Sequence, residues 1–157
     1  MKTISCLILI LFAVDVALYT IATDVVVVGD SYAHFYPSSS RLRYSLPGQS
    51  VKAITEWLRW QPKERHSTVK IMAGIASIYN GEPLAEVQAD LFKLANVCKQ
   101  HFGVAPQIYD PAAMLRVLKD PRNHSFDEWH LNERGYRELE TFPLLTQDPT
   151  PLIPNAL

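Results

Sequence analysis

The sequence predicts a single α/β domain in which helices cover both faces of a parallel sheet. Residues 25–28 are an unbroken run of valine, which is typical of a strand covered on both faces. From Asp24 onward, short apolar runs alternate with segments of helical periodicity, and this pattern favours a three-layer α/β/α domain over a bundle or a sandwich. The 157 residues, 48% of them hydrophobic, suffice for one compact core and leave no room for a second full domain.

The first half of the domain contains three predicted strands and one amphipathic helix. The first strand ends at Gly29, and residues 41–46 form a short second strand that ends just before Gly48. Residues 69–74 form the third strand. Between the second and third strands, Ser50 is suited to cap a helix. The apolar residues of that helix share one face: Val51, Ile54, Trp57 and Leu58.

The second half contains the longest predicted helix, residues 84–102. Its apolar positions form one stripe, and Gly103 is a typical stop. The other elements follow in chain order: a short strand at 106–109, a helix at 112–119 begun by Asp110 and Pro111, a loop at 120–128, and a last helix capped by Asn132. The domain therefore spans residues 24–142, and the tail at 143–157, which contains four prolines, is expected to be irregular.

The charge balance argues against a nucleic-acid partner. Lys and Arg number 15 against 16 Asp and Glu, which gives a formal net charge of −1. No basic stripe of the kind that binds a phosphate backbone is present in the sequence. We therefore expect no direct contact with nucleic acid.

The first 23 residues predict export. Lys2 supplies a positive start, residues 4–16 are mostly apolar, and residues 20–22 offer small side chains at the usual cleavage spacing. The alternative is a retained membrane anchor at residues 4–22, because about 20 apolar residues span a bilayer. An aspartate in this stretch would be costly within a bilayer. We therefore expect a secreted protein, with membrane anchoring as the alternative.

Cysteine usage and one glycosylation signal are compatible with export. Cys6 lies in the predicted signal, so cleavage would leave Cys98 alone and exclude an intrachain disulfide. Asn123, His124 and Ser125 form an acceptor sequon for N-linked glycosylation, which would suit a surface loop of a secreted protein.

The residues that follow each predicted strand are candidates for a functional site. In open parallel sheets, ligands bind beyond the carboxyl ends of the strands. The segments found there are Ser31, Gly48, residues 75–80 and residues 127–130. We expect all four to converge on one edge of the sheet.

A serine that acts as a nucleophile needs a base, and the base needs a group that holds it in one tautomer. Asp127 and His130, three residues apart, can form such a pair with the second imidazole nitrogen facing Ser31. The alternatives are structural. Ser31 would then cap the next helix, His130 would pack beside an aromatic side chain, and Asp127 would bond to backbone. Asp30 is expected to brace the turn rather than to react.

These motifs resemble the SGNH (GDSL-type) hydrolases. The resemblance rests on Gly29-Asp30-Ser31 after the first strand, Gly48 after the second, and Asp127-x-x-His130-Leu-Asn before the last helix, and it covers residues 24–141. It implies a flavodoxin-like α/β/α fold and hydrolysis of esters of lipids, acetylated sugars or thioesters by a Ser-His-Asp triad. No cofactor is implied.

By that resemblance, Ser31 is the nucleophile, His130 the general base and Asp127 its partner. The backbone amides of Ser31 and Gly48 would contribute to the oxyanion hole. The substrate would be a small-molecule ester, a lipid or an acylated carbohydrate, and a membrane would be a partner only if the N-terminal segment is retained.

One departure from the family pattern concerns the oxyanion hole. The family's third block is Gly-x-Asn-Asp, with an Asn side chain that donates to the oxyanion, whereas Ala76 occupies that position here. Loss of one such donor typically costs about 10²- to 10³-fold in turnover. Ser77 or Asn80 are the candidates to replace it. The alternative is a binding protein of the same fold that has lost turnover.

No metal site is predicted. The remaining histidines show no ligand spacing with one another or with Cys98. They are His34, His66, His101 and His124.

Overall fold

The computed structural model describes residues 25–37, 42–125 and 127–146. The predicted signal or anchor segment and the tail beyond residue 146 lie outside the described residues. The strands are β1 (Val25–Gly29), β2 (Leu42–Ser45), β3 (Thr68–Met72) and β4 (Gln107–Ile108). The helices are α1 (Ser31–Phe35), α2 (Val51–Arg59), α3 (Ile75–Tyr79), α4 (Leu84–Phe102), α5 (Pro111–Val117) and α6 (Glu133–Leu139), with a 3₁₀ turn at Pro121–Asn123.

The four strands form one parallel sheet in the order β2-β1-β3-β4. Val28 in β1 lies between Tyr44 of β2 and Ile71 of β3. This order is shared with the first four strands of flavodoxin-like sheets, in which the chain reverses direction across the sheet between β1 and β3. The predicted parallel α/β/α fold is confirmed.

The valine run of β1 is buried on both faces of the sheet. Val26 and Val28 pack with helices α2 and α4 on one face, whereas Val27 packs with α1, α5 and α6 on the other. All three side chains are 0% exposed. A strand buried on both faces has no position at which a polar side chain could reach water.

The predicted caps at Ser50, Asn132 and Gly103 are present. Ser50 accepts a hydrogen bond from the Ala53 amide at 3.3 Å, and Asn132 accepts one from Gly135 at 3.0 Å. The longest helix ends at Gly103, whose φ of 84° lies in the left-handed region that favours glycine. Tyr136 and Leu139 in α6 point into the core, as predicted.

Two short helices were not located from the sequence, although one alternative placed a helix after Ser31. The chain enters α1 at Ser31, immediately after β1, and Ile75–Tyr79 forms α3 directly after the third strand. Each has five residues, too few for an apolar repeat to show helical periodicity. The predicted helix at 112–119 begins one residue earlier and ends at Val117.

The sequon prediction needs correction. Asn123 is 0% exposed, and its side-chain amide donates to the carbonyl oxygen of Val117 at 3.0 Å and to Glu138 at 2.9 Å. A glycan on that nitrogen would break both hydrogen bonds and require the side chain to leave the interior. The folded domain therefore cannot carry a glycan at this position.

Within the described ranges, no helix combines the length and the apolar character that crossing a bilayer requires.

Candidate active site

A cleft of about 260 Å³ lies at the carboxyl edge of the sheet, where β1 and β3 end. All four predicted segments contribute to it, although residues 127–130 come after the 3₁₀ turn and do not directly follow a strand. Its walls are formed by Ser31, Tyr32, Gly48, Ile75, Ala76, Tyr79, Asn80, Trp129 and His130. The predicted nucleophile and the predicted base therefore share one cleft.

Asp30 connects the two helices that begin beside this cleft. One carboxylate oxygen accepts from the Tyr32 amide at 2.9 Å, and the other accepts from the amides of Gly74 at 3.0 Å and Ala76 at 3.4 Å. Burial raises the pKa of Asp30, and the hydrogen bonds from backbone amides act in the opposite direction. Asp30 thus joins the beginnings of α1 and α3, which confirms its structural role. Asp30, rather than Ser31, caps α1.

Gly29 allows β1 and β3 to approach closely where they end. A Cβ atom at this position would lie 1.8 Å from the carbonyl oxygen of Met72. The same oxygen accepts a hydrogen bond from the Asp30 amide at 3.3 Å. Glycine is therefore required just before the turn that presents Ser31.

Asp127 fixes the position of the His130 ring. Its Oδ2 lies 2.7 Å from Nδ1 of His130, and its Oδ1 accepts from the amides of Trp129 at 2.9 Å and His130 at 2.8 Å. Partial burial acts to raise the pKa of Asp127, but these hydrogen bonds outweigh it and hold the pKa below its usual value. The carboxylate thus bonds both to backbone and to the imidazole, which combines the two interpretations that the sequence left open.

Two tyrosine hydroxyls connect α1, which carries Ser31, to the His130 loop and to α6. The Tyr32 hydroxyl donates to the carbonyl oxygen of Trp129 at 2.6 Å, and the Tyr136 hydroxyl donates to the carbonyl oxygen of Tyr32 at 2.9 Å. The sequence offered no signal for these contacts, because the partners are about a hundred residues apart in the chain.

Aromatic rings surround the His130 imidazole. The Phe35 ring meets it edge-on at 4.8 Å between centroids, and the Tyr32 ring lies at 5.9 Å. Tyr32 and Tyr36 are buried, whereas Phe35 is exposed.

The backbone amides of Ser31 and Gly48 are suited to receive an oxyanion. Both residues line the cleft, and in the described part of the chain neither amide donates a hydrogen bond to another protein group. Ala76 presents only a methyl group there, and Asn80 also lines the cleft.

Ser77 does not replace the missing asparagine. It is 0% exposed, it does not line the cleft, and its hydroxyl accepts from the Val51 amide at 3.1 Å. Its side chain therefore packs toward α2. Of the two candidates for a substitute donor, Asn80 remains.

Three of the remaining histidines, His34, His66 and His124, have hydrogen-bonding partners outside the cleft, and His101 packs against aromatic rings. His34 lies 3.3 Å from the Ser45 hydroxyl, and His66 lies 3.2 Å from Glu64. Among the described residues, no group of three or more His, Cys, Asp or Glu side chains could hold a metal ion. Cys98 is buried, and burial raises the pKa of its thiol to about 12.

The chain has the fold of GDSL lipolytic proteins. A member of the lipolytic G-D-S-L family from Veillonella parvula superimposes with a TM-score of 0.50 and 15% identity, over 73% of this chain and 92% of that chain. A psychrotrophic esterase from Pseudoalteromonas, inhibited by monoethylphosphonate, gives a TM-score of 0.45 and 13% identity, over 74% and 92% of the two chains. No family model and no curated protein matches the sequence.

Proposed function

We propose that the protein is a serine ester hydrolase in which Ser31 is the nucleophile, His130 the general base and Asp127 the residue that orients it. The observation that carries the proposal is the 2.7 Å contact between Asp127 and His130 in the cleft that Ser31 also lines. A serine hydroxyl reacts with an ester only when a positioned base removes its proton. The GDSL-type fold supports this assignment.

In the proposed reaction, Ser31 Oγ attacks the ester carbonyl carbon while His130 takes the hydroxyl proton. The negative charge that develops on the carbonyl oxygen is stabilised by the amides of Ser31 and Gly48. His130 then gives the proton to the leaving alcohol. Water attacks the acyl-serine, again with His130 as base, and releases the acid.

The test is hydrolysis of p-nitrophenyl acetate by the purified protein, together with labelling by a fluorophosphonate. Ser31→Ala should abolish both readouts, and His130→Ala should lower both by at least about a thousandfold. Ser67→Ala is the matched control, because this exposed serine precedes β3 at the opposite edge of the sheet. The proposal is lost if Ser31→Ala hydrolyses the ester as fast as the parent.

A second candidate function is ligand binding without turnover. Ala76 lines the cleft where the family pattern has an oxyanion donor, and its methyl group cannot donate a hydrogen bond. This function predicts that Ser31 resists the fluorophosphonate while a sugar or lipid still raises the melting temperature of the protein. Labelling of Ser31 would count against it.

We further propose that residues 1–23 direct export and are removed. The support is the sequence pattern of a positive start, an apolar stretch and small residues near position 22. The N-terminal residue of the protein purified from its own source tests this. A start near Asp24 supports cleavage, whereas an intact N-terminus supports the anchored alternative.

A further inference from the structure

Two exposed aromatic side chains stand at the mouth of the cleft. Tyr79 is 51% exposed and Trp129 is 55% exposed, and both line the cleft with Ser31 and His130. Their ring centroids are 4.9 Å apart, and the ring planes meet at 83°. The pair therefore forms a right-angled corner beside the proposed nucleophile. Below, this pair is called the aromatic corner.

The backbone at both sides of the corner is held in place. Trp129 donates its amide hydrogen to Asp127, and its carbonyl oxygen accepts from Tyr32. Tyr79 ends α3, where the Asn80 amide bonds to the Ala76 carbonyl oxygen at 3.1 Å. Trp129 is therefore held by contacts that also hold the His130 loop, and Tyr79 is held by the end of α3.

The right angle selects for a flat ring. A ring that stacks on one wall of the corner meets the other wall edge-on, and both are favoured arrangements for rings with a polarised face. A flexible alkyl chain gains only apolar contact from such a corner and loses rotational freedom there. The corner thus favours a ring-bearing group over a chain of similar size.

The size of the cleft limits the other half of the substrate. Its volume of about 260 Å³ lies below the ~300–1,000 Å³ of pockets that enclose drug-sized ligands. The reacting ester group, held between Ser31 and the proposed oxyanion amides, would occupy part of this space. Little room remains for an acyl chain beside Ile75 and Ala76.

We propose that the substrate is an ester of a short acyl group with a ring-bearing alcohol, whose ring stacks in the aromatic corner. This inference rests on the proposed esterase function. An aryl ring can stack on one wall and meet the other edge-on, and a pyranose ring can pack the C–H groups of one face on either wall. Tyr79 and Trp129 are therefore specificity-determining residues that contact the leaving alcohol.

The test compares kcat/KM of the purified full chain for three acetates of primary alcohols: benzyl acetate, methyl 6-O-acetylglucopyranoside and n-hexyl acetate. At least one ring ester should exceed the hexyl ester, and the preferred one identifies the source of the ring. Tyr79→Ala and Trp129→Ala should each remove about three- to tenfold of that preference, as expected for one aromatic contact. Trp60→Ala is the control, since Trp60 is 86% exposed at the far end of α2.

The inference is overturned if the hexyl ester is preferred, or if Tyr79→Ala lowers all three rates equally. It is also overturned if benzyl octanoate is hydrolysed faster than benzyl acetate.

Failure of the proposed esterase function gives a result that differs from failure of ring recognition. In that case none of the three acetates is hydrolysed and a fluorophosphonate leaves Ser31 unlabelled. The corner is then tested by quenching of tryptophan fluorescence with benzyl alcohol and methyl glucopyranoside. Quenching by either compound supports ring recognition if it is weaker in Tyr79→Ala. If neither compound quenches the fluorescence, ring recognition is overturned.

Discussion

The Tyr32 hydroxyl donates a 2.6 Å hydrogen bond to the carbonyl oxygen of Trp129, across 97 positions of the sequence. Tyr32 follows the proposed nucleophile directly, and Trp129 precedes the proposed base. This bond therefore holds the loop that carries His130 against the helix that carries Ser31.

Tyr32→Phe should weaken both stability and turnover. The carbonyl oxygen of Trp129 would lose its partner, at a cost of about 1 kcal/mol in the free energy of unfolding. Because the loop would no longer be held against α1, kcat for p-nitrophenyl acetate should fall several-fold with little change in KM. The control is Tyr44→Phe, which removes a hydroxyl bonded to Glu64 away from the cleft. That variant should lose stability and keep kcat.

Asp30→Asn should destabilise the fold although the two side chains have the same shape. Both carboxylate oxygens accept backbone amides, so an Asn side chain would place an NH₂ group against an N–H donor. We expect a loss of about 1–3 kcal/mol in urea unfolding. Asp110→Asn, at the half-buried start of α5, keeps a capping oxygen and should cost less than about 1 kcal/mol. Equal losses in the two variants would contradict the bracing role.

The contribution of Asp127 to stability should depend on pH. The folded state holds the pKa of Asp127 below its ordinary value of 3.8, so its stabilising effect is complete above that value. The effect is lost as pH falls through the lower pKa of the folded state. Asp127→Asn should therefore be less stable than the parent at pH 7, and the difference should shrink below about pH 4. Urea unfolding from pH 7 to pH 3 measures it, and a difference that stays constant over this range would contradict the assignment.

Ala76→Asn should increase esterase activity. The side chain at this position lines the cleft, and an Asn amide there could donate to the developing oxyanion. Because one such donor is worth about 10²- to 10³-fold, we expect kcat for p-nitrophenyl acetate to rise by about tenfold or more. Ala85→Asn, exposed in the first turn of α4, should leave kcat unchanged. Unchanged activity in Ala76→Asn would indicate that Asn80 or the backbone already supplies the donor.

The features that could be predicted from the sequence depend on residues close together in the chain. The valine run of β1, the caps at Ser50 and Asn132, and the stop at Gly103 each rest on local hydrogen bonding or on a regular repeat. The contact between Asp127 and His130 joins residues three apart, which one turn of loop can close. These local interactions do not depend on contacts between distant parts of the chain.

The tertiary structure alone decided which side chains face the cleft. The sequence offered both Ser77 and Asn80 as oxyanion donors. A five-residue helix has no apolar repeat from which its buried face can be predicted. In the structure Ser77 faces α2 and is buried. The sequon at Asn123 gave no sign that its asparagine is buried beside Glu138.

From the sequence, Gly29 only marks the end of the first strand. The pairing of β1 with β3 shows that Met72 leaves no space for a side chain at this position. The aromatic corner joins Tyr79 to Trp129, fifty positions apart. Such contacts depend on how helices and loops pack on the sheet, which local hydrogen bonding and hydrophobic periodicity do not determine.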